Sequence, residues 1–228
     1  MSKRLSQEEL EHDPLIENYN KAVTYVNANR TPILSIVIGA VVIIGALIGY
    51  NLYSETQEVQ AQNLLAIASQ YYRDGDFDKA LNGDSFELNY GFNAIAKEFS
   101  GTDAGNLAMY YASVCNFKLG NTESALEQIQ MYAIPKGILG VGAHSFHANL
   151  LASNGSTEAA AELYEKAASW DENNSTTPFN LLKAAELHFK SGNVEKAEEL
   201  AQSIIDDYPD SIEFAEAQKM QGMIAANA

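Results

Sequence analysis

The chain has 228 residues, 46% of them hydrophobic, enough to bury a core in one domain or in one domain with an appendage. Lys and Arg number 14 against 30 Asp and Glu, a net charge of −16, which excludes the cationic footprint of a nucleic-acid binder and disfavours anionic lipid surfaces. The lone cysteine, Cys115, excludes an intramolecular disulfide and a cysteine-based zinc site.

The first 30 residues form a short polar segment. Asp13 is placed to cap a helix with Pro14 at its first position. Leu15, Tyr19, Val23 and Val26 recur at helical spacing, which suits an amphipathic helix at a membrane surface or against a partner helix.

Residues 33–53, ILSIVIGAVVIIGALIGYNLY, carry no charge. At about 1.5 Å per residue the run matches a bilayer's hydrocarbon core. Tyr50 and Tyr53 fall at one end, where an aromatic belt sits, and Pro32 at the other. No A-x-A cleavage pattern follows, so the run reads as an anchor and not as a signal peptide. Lys21 and Arg30 precede it, with Lys3 and Arg4 further out, whereas the next cation is Arg73. That asymmetry puts the N-terminus in the cytoplasm and the rest outside. The expected organisation is a cytoplasmic segment over 1–30, a membrane helix over 31–53 and an outer domain over 54–228. Gly45 and Gly49 form a G-x-x-x-G that would let a partner helix approach closely in lipid.

Beyond residue 55 the apolar spacing is helical throughout, so the fold class is all-α. One pattern recurs: GDFDKA at 75–80, GNTESA at 120–125, GSTEAA at 155–160 and GNVEKA at 192–197. Gly75, Gly120, Gly155 and Gly192 suit the left-handed residue that ends a helix. Asp76, Asn121, Ser156 and Asn193 suit the cap of the next. Asp78, Glu123, Glu158 and Glu195 lie in its first turn, where the helix dipole favours negative charge. Ala80, Ala125, Ala160 and Ala197 are small where antiparallel helices would cross. Ala68, Ser113, Ala148 and Ala185, seven before each glycine, are the matching small residues. Leu64, Met109 and Leu181 lie four before those, and His144 takes that place in the third unit.

The glycines are 45, 35 and 37 residues apart. With Tyr71 and Pro209 at further signature positions, residues 58–227 resemble a tetratricopeptide-repeat array, whose period is about 34. The signature tryptophan is absent. NGDSFELNYG after Leu81 is an insertion that makes the first repeat irregular, and the segment from Ser211 reads as a closing helix. Since Leu52–Tyr72 lacks Gly and Pro, the membrane helix is expected to run directly into the first repeat.

Little in the chain suggests catalysis. His144 and His147 share one helical face but lack a third ligand, so a packing role is expected, and Cys115 lies mid-helix beside Val114. No G-x-S-x-G or phosphate-loop motif occurs, and 105–111 and 137–142 are not phosphate loops. Asp171 and Glu172 with NNSTTP are expected to form an inter-repeat loop, within which Asn174-Ser175-Thr176 is a formal glycosylation sequon. No enzyme activity and no cofactor are expected. Tyr71, Tyr110, Tyr111 and Tyr132 are candidate partner-contacting residues unless they pack between repeats.

A short cytoplasmic stretch, one anchor and an outer repeat array together resemble the YfgM-type ancillary subunit of the bacterial Sec translocon, most closely over GTDAGNLAMYYASVCNFKLGNTESAL, residues 101–126. The resemblance extends to membrane-anchored relatives in Bacteroidetes-type bacteria. It implies an array in the periplasm, anchored in the inner membrane. The implied partners are SecYEG, a membrane-anchored chaperone of the PpiD type and newly exported polypeptides. The alternative is an anchored scaffold for another envelope process, such as cell division or outer-membrane assembly.

Overall fold

The computed structural model describes residues 14–84 and 89–227. Asp13, Lys3, Arg4, the centre of the insertion at 85–88 and the final residue lie outside them. Contacts divide the chain into two compact units, Met1–Glu55 and Thr56–Ala228. Every regular element among the described residues is a helix.

The first unit holds helix α1, Pro14–Ala28, and the first part of α2, Arg30–Arg73. Helix α1 buries no side chain, and a Glu17–Lys21 pair at 2.6 Å braces its surface. Helix α2 is long and apolar enough to cross a membrane, and none of its most apolar window is buried in protein. A core helix would bury those side chains; an exposed uncharged run of this length suits lipid. With no Gly or Pro after Gly49 to break it, α2 continues without interruption to Arg73.

The second unit begins with the remainder of α2, whose first buried residues are Ala61, Leu65 and Ala68. There follow α3 (Phe77–Asn82), α4 (Gly91–Glu98), α5 (Asp103–Lys118), α6 (Thr122–Met131), α7 (Ile138–Ser153), α8 (Thr157–Trp170), α9 (Thr177–Lys190), α10 (Val194–Asp207) and α11 (Phe214–Asn227). They form four helix pairs, α2/α3, α5/α6, α7/α8 and α9/α10, with α4 packed on α3 and α5 and with α11 packed on the last pair. This is a tetratricopeptide-repeat domain. The turns within the pairs share one geometry. Gly75, Gly120, Gly155 and Gly192 have φ of 80°, 84°, 84° and 88°. Each following N–H reaches back five residues, as from Asn121 to the Asn116 carbonyl at 2.8 Å and from Asn193 to the His188 carbonyl at 2.9 Å. These are the reciprocal bonds of a Schellman ending, which satisfy carbonyls the helix leaves free.

The turns are alike in backbone but differ in capping. The side chains of Asp76 and Asn193 accept from the Lys79 and Lys196 N–H groups. Asn121 and Ser156 hold the same backbone position without a side-chain capping bond, and Asn121 instead donates to Asn116. Where the helices of a pair cross, Ala68, Ala80, Ser113, Ala125, Ala148, Ala160, Ala185 and Ala197 are all fully buried. Ser113 keeps its hydroxyl satisfied there by donating to the Ala125 carbonyl at 2.6 Å.

The first repeat departs from the others. Its second helix, α3, has only 6 residues. Buried Asn89 then secures the returning chain, donating to the Lys79 carbonyl at 2.7 Å and accepting from the Gly91 N–H at 3.0 Å. The closing helix starts at Phe214 and not at Ser211, because the chain turns once more after Tyr208. Pro209 is exposed on that bend.

Candidate protein-binding surface

The first helices of the repeats carry a run of aromatic side chains that meet across repeat boundaries. Tyr72, near the end of α2, packs against Phe77 at 5.6 Å, Phe92 at 6.4 Å and Tyr111 at 5.2 Å between ring centroids. Phe92 stacks on Tyr111 at 5.2 Å. Tyr110, the preceding residue on α5, meets Tyr132 at 5.4 Å and Phe146 of α7 at 5.8 Å. Phe117 closes on Phe146 at 5.9 Å. These separations and mostly edge-on angles are the geometry the ring quadrupoles favour.

Local structure explains the convergence. Tyr111 and Phe146 each lie nine residues before a turn glycine, and Tyr72 and Phe117 each lie three before one. Equivalent positions of stacked repeats fall side by side, so aromatic residues there form a ladder. Two polar ties fix the register. Glu58 of α2 accepts from the Asp103 N–H at 2.7 Å and the Ala104 N–H at 3.2 Å, satisfying the start of α5 from the preceding repeat. Asn106 pairs with the backbone of Ala133 through bonds of 2.8 and 2.9 Å.

The phenols are drawn together in a poorly hydrated site. Burial pushes the Tyr110 hydroxyl above its ordinary titration range, and Tyr72, Tyr111 and Tyr132 add to the shift. Burial likewise raises Tyr72 and Tyr132. The phenols of Tyr72, Tyr110 and Tyr132 therefore stay protonated, and the cluster is amphipathic.

Phe146 also lines a groove of about 470 Å³ between α7 and α9, together with Asn149, Phe179, Lys183, Glu186 and Leu187. Lys183 and Glu186 pair there at 2.8 Å. Through this shared ring the tyrosine cluster and the groove form one surface crossing every repeat. A larger cleft of about 820 Å³ between α8 and α10 is of a different kind. Its Glu165 engages His188 at 2.8 Å and Lys196 at 3.2 Å, and among the described residues it carries no aromatic ladder.

Several singled-out residues take other roles. Tyr132 is buried and packs between repeats, whereas Tyr71, Tyr110 and Tyr111 are half-buried, packed between repeats on one side and open on the other; Tyr71 donates to Asp84 at 3.3 Å. His144 is buried against Trp170, ring centroids 4.5 Å apart, and its pKa falls to about 4, chiefly through burial. Among the described residues no group of three His, Cys, Asp or Glu converges as a metal site. Burial pushes the Cys115 thiol up to about 12, which makes it a poor nucleophile. Gly39, Gly45 and Gly49 have open space where a Cβ would stand. Phe92, Phe117 and Phe146 escaped the sequence reading, although their spacing from the turn glycines was a usable signal for the last two.

Residues 151–221, from the end of α7 into α11, match the tetratricopeptide repeat family. No curated protein matches the chain. Tetratricopeptide repeats are protein-interaction modules and are typically non-catalytic, so the chain is a protein-binding scaffold with a candidate membrane helix.

Proposed function

We propose that the chain is an ancillary subunit of the bacterial Sec translocon, anchored through residues 31–53 with its repeat array in the periplasm. The observation that carries a binding role is the aromatic surface from Tyr72 through Phe146 to Phe179. Rigid, amphipathic rings give large contact area at small entropic cost, which suits extended segments of other proteins. The acidic net charge turns that surface away from nucleic acids and towards polar, aromatic or basic segments. Lys21 and Arg30 just ahead of the anchor, with no cation after it until Arg73, support an N-terminus in the cytoplasm. The resemblance over residues 101–126 supports SecYEG, a PpiD-type chaperone and exported polypeptides as partners. In this reading the chain has no enzymatic role, needs no cofactor, and divides the labour: Gly45 and Gly49 dock the span against a membrane partner, and the array holds soluble segments.

Copurification from native membranes tests the proposal. Gly45→Leu with Gly49→Leu is expected to weaken recovery of SecYEG or its chaperone partner, because bulk there blocks close helix approach. Tyr110→Ala with Phe146→Ala is expected to reduce chaperone or exported chains while sparing the channel. Recovery of only cell-division or outer-membrane assembly proteins, with no Sec component, would replace this reading by the scaffold alternative.

A further inference from the structure

Among the described residues of the repeat array, large apolar side chains that are more than half exposed are confined to one end. Within Thr56–Ala228 they are Val59, Met131, Ile138, Leu139 and Ile212, between 52% and 95% exposed. Hydrogen bonds and shared contacts identify that end. Glu58 holds the start of α5, and Asn106 of α5 holds Ala133 in the loop before α7. Trp170, at the end of α8, donates to the Pro135 carbonyl of the same loop at 3.1 Å. Tyr208, just before Ile212, lines a cleft with Glu172 and Asn174 from the loop before α9. The inter-repeat loops thus lie together, at the end where α2 brings the chain in. The turns around Gly120 and Gly192 lie at the other end, where Leu119 and Val194 are only 40% and 39% exposed.

Chain connectivity indicates what covers the apolar tips. The uncharged run ends at Tyr53, and Glu58 is already tied to α5. Five residues reach about 7.5 Å as helix and at most about 17 Å fully extended. We propose that this end of the array rests on the bilayer surface, with Met131, Ile138, Leu139 and Ile212 inserted at the boundary of headgroups and acyl chains. The inference rests on residues 31–53 spanning the membrane. The tips stand at two separate inter-repeat junctions, Met131, Ile138 and Leu139 around the loop before α7 and Ile212 before α11, as suits a soft lipid boundary better than one protein groove. The adjoining residues Asp103, Asp171, Glu172, Asp210 and Glu213 are acidic, so insertion is driven by aliphatic burial into zwitterionic lipid and not by attraction to anionic headgroups. Exposed Lys136, between Met131 and Leu139, can lay its stem along the boundary and keep its ammonium in water.

The test uses the full chain in phosphatidylcholine vesicles, labelled with an environment-sensitive fluorophore at single introduced cysteines. Cys115 is buried and stays unlabelled. The positions are Leu139→Cys and Ile212→Cys at the proposed contact, Asn154→Cys at the other end of the array, and Tyr53→Cys at the anchor. Lipid brominated near its headgroup is expected to quench the probes at 139 and 212 at least about twofold and to leave 154 unchanged, because only inserted groups meet bromine. Quenching at 53 with none at 139 and 212 would overturn the inference and leave the anchor standing. Shielding of 139 and 212 from aqueous iodide without lipid quenching would mean that protein covers them, which also overturns it. No quenching at 53 would overturn the membrane span and this inference together.

Discussion

Gly140 and Gly142 lie two residues apart on α7, and the structure predicts opposite consequences for the same substitution. A Cβ on Gly140 would run into the Pro135 carbonyl and the Trp170 indole nitrogen, the two groups that hydrogen-bond each other there. Neither is a flexible side-chain end that can swing aside. Gly140→Ala therefore overpacks the site at about 1–3 kcal/mol. It also disturbs a hydrogen bond contributing about 1 kcal/mol. Alanine's better helix propensity returns at most about 1 kcal/mol. The net loss of about 1–3 kcal/mol corresponds to roughly 3–10 °C in Tm for a domain of this size. A Cβ on exposed Gly142 meets nothing within 4 Å, so Gly142→Ala keeps only the helix gain. It is expected to stabilise by up to about 1 kcal/mol. Trp170 is the chain's one tryptophan and sits at the affected contact, so thermal unfolding followed by its fluorescence reads both variants. Gly140→Ala melting at or above the parent would refute the packing argument.

Three further outcomes follow from the same structure. Buried His144 stays neutral in the fold but protonates readily once unfolded, so its contribution to stability, complete above about pH 6.5, is lost as pH falls towards 4, at about 3 kcal/mol in all. His144→Leu, which installs the residue found at this place in the first and fourth repeats, should flatten that dependence, with a smaller slope left by His147; urea titrations across the window that retain the full slope would assign it elsewhere. Ala160→Phe should overpack the crossing beside Ala148 and cost about 1–3 kcal/mol, and a variant that melts like its parent would refute the helix register. Protease added to spheroplasts should digest the array and spare the first 30 or so residues if the N-terminus is cytoplasmic; the reverse pattern would invert the topology.

Features governed by nearby residues were readable in the sequence. An uncharged run such as 33–53 declares its solvent preference residue by residue, and uninterrupted helix past Leu52 needs only the absence of Gly and Pro. The turn at Gly120 is likewise set by a few neighbouring backbone groups. What depends on distant parts of the chain was not readable. Tyr72 and Phe146 join one aromatic surface only after three repeats have stacked. Tyr132 looked available because nothing local shows that α5 and α7 close over it. Ser156 makes no side-chain cap and Asn121 turns to Asn116, so two of the repeat turns lack a side-chain cap, a matter of side-chain rotamer that composition does not encode. Trp170 stands outside the repeat signature, yet it fixes the loop before α7 and packs on His144.

Site-specific photocrosslinking in native membranes tests most directly whether the aromatic surface holds other proteins. A photoreactive residue in place of Phe146, at the junction of the tyrosine cluster and the groove, is expected to give covalent adducts whose mass spectra contain a Sec component, a PpiD-type chaperone or exported chains. The same residue at Glu162, on the second helix of that repeat, is expected to give few. Adducts at Glu162 with none at Phe146 would contradict the assignment of the binding face.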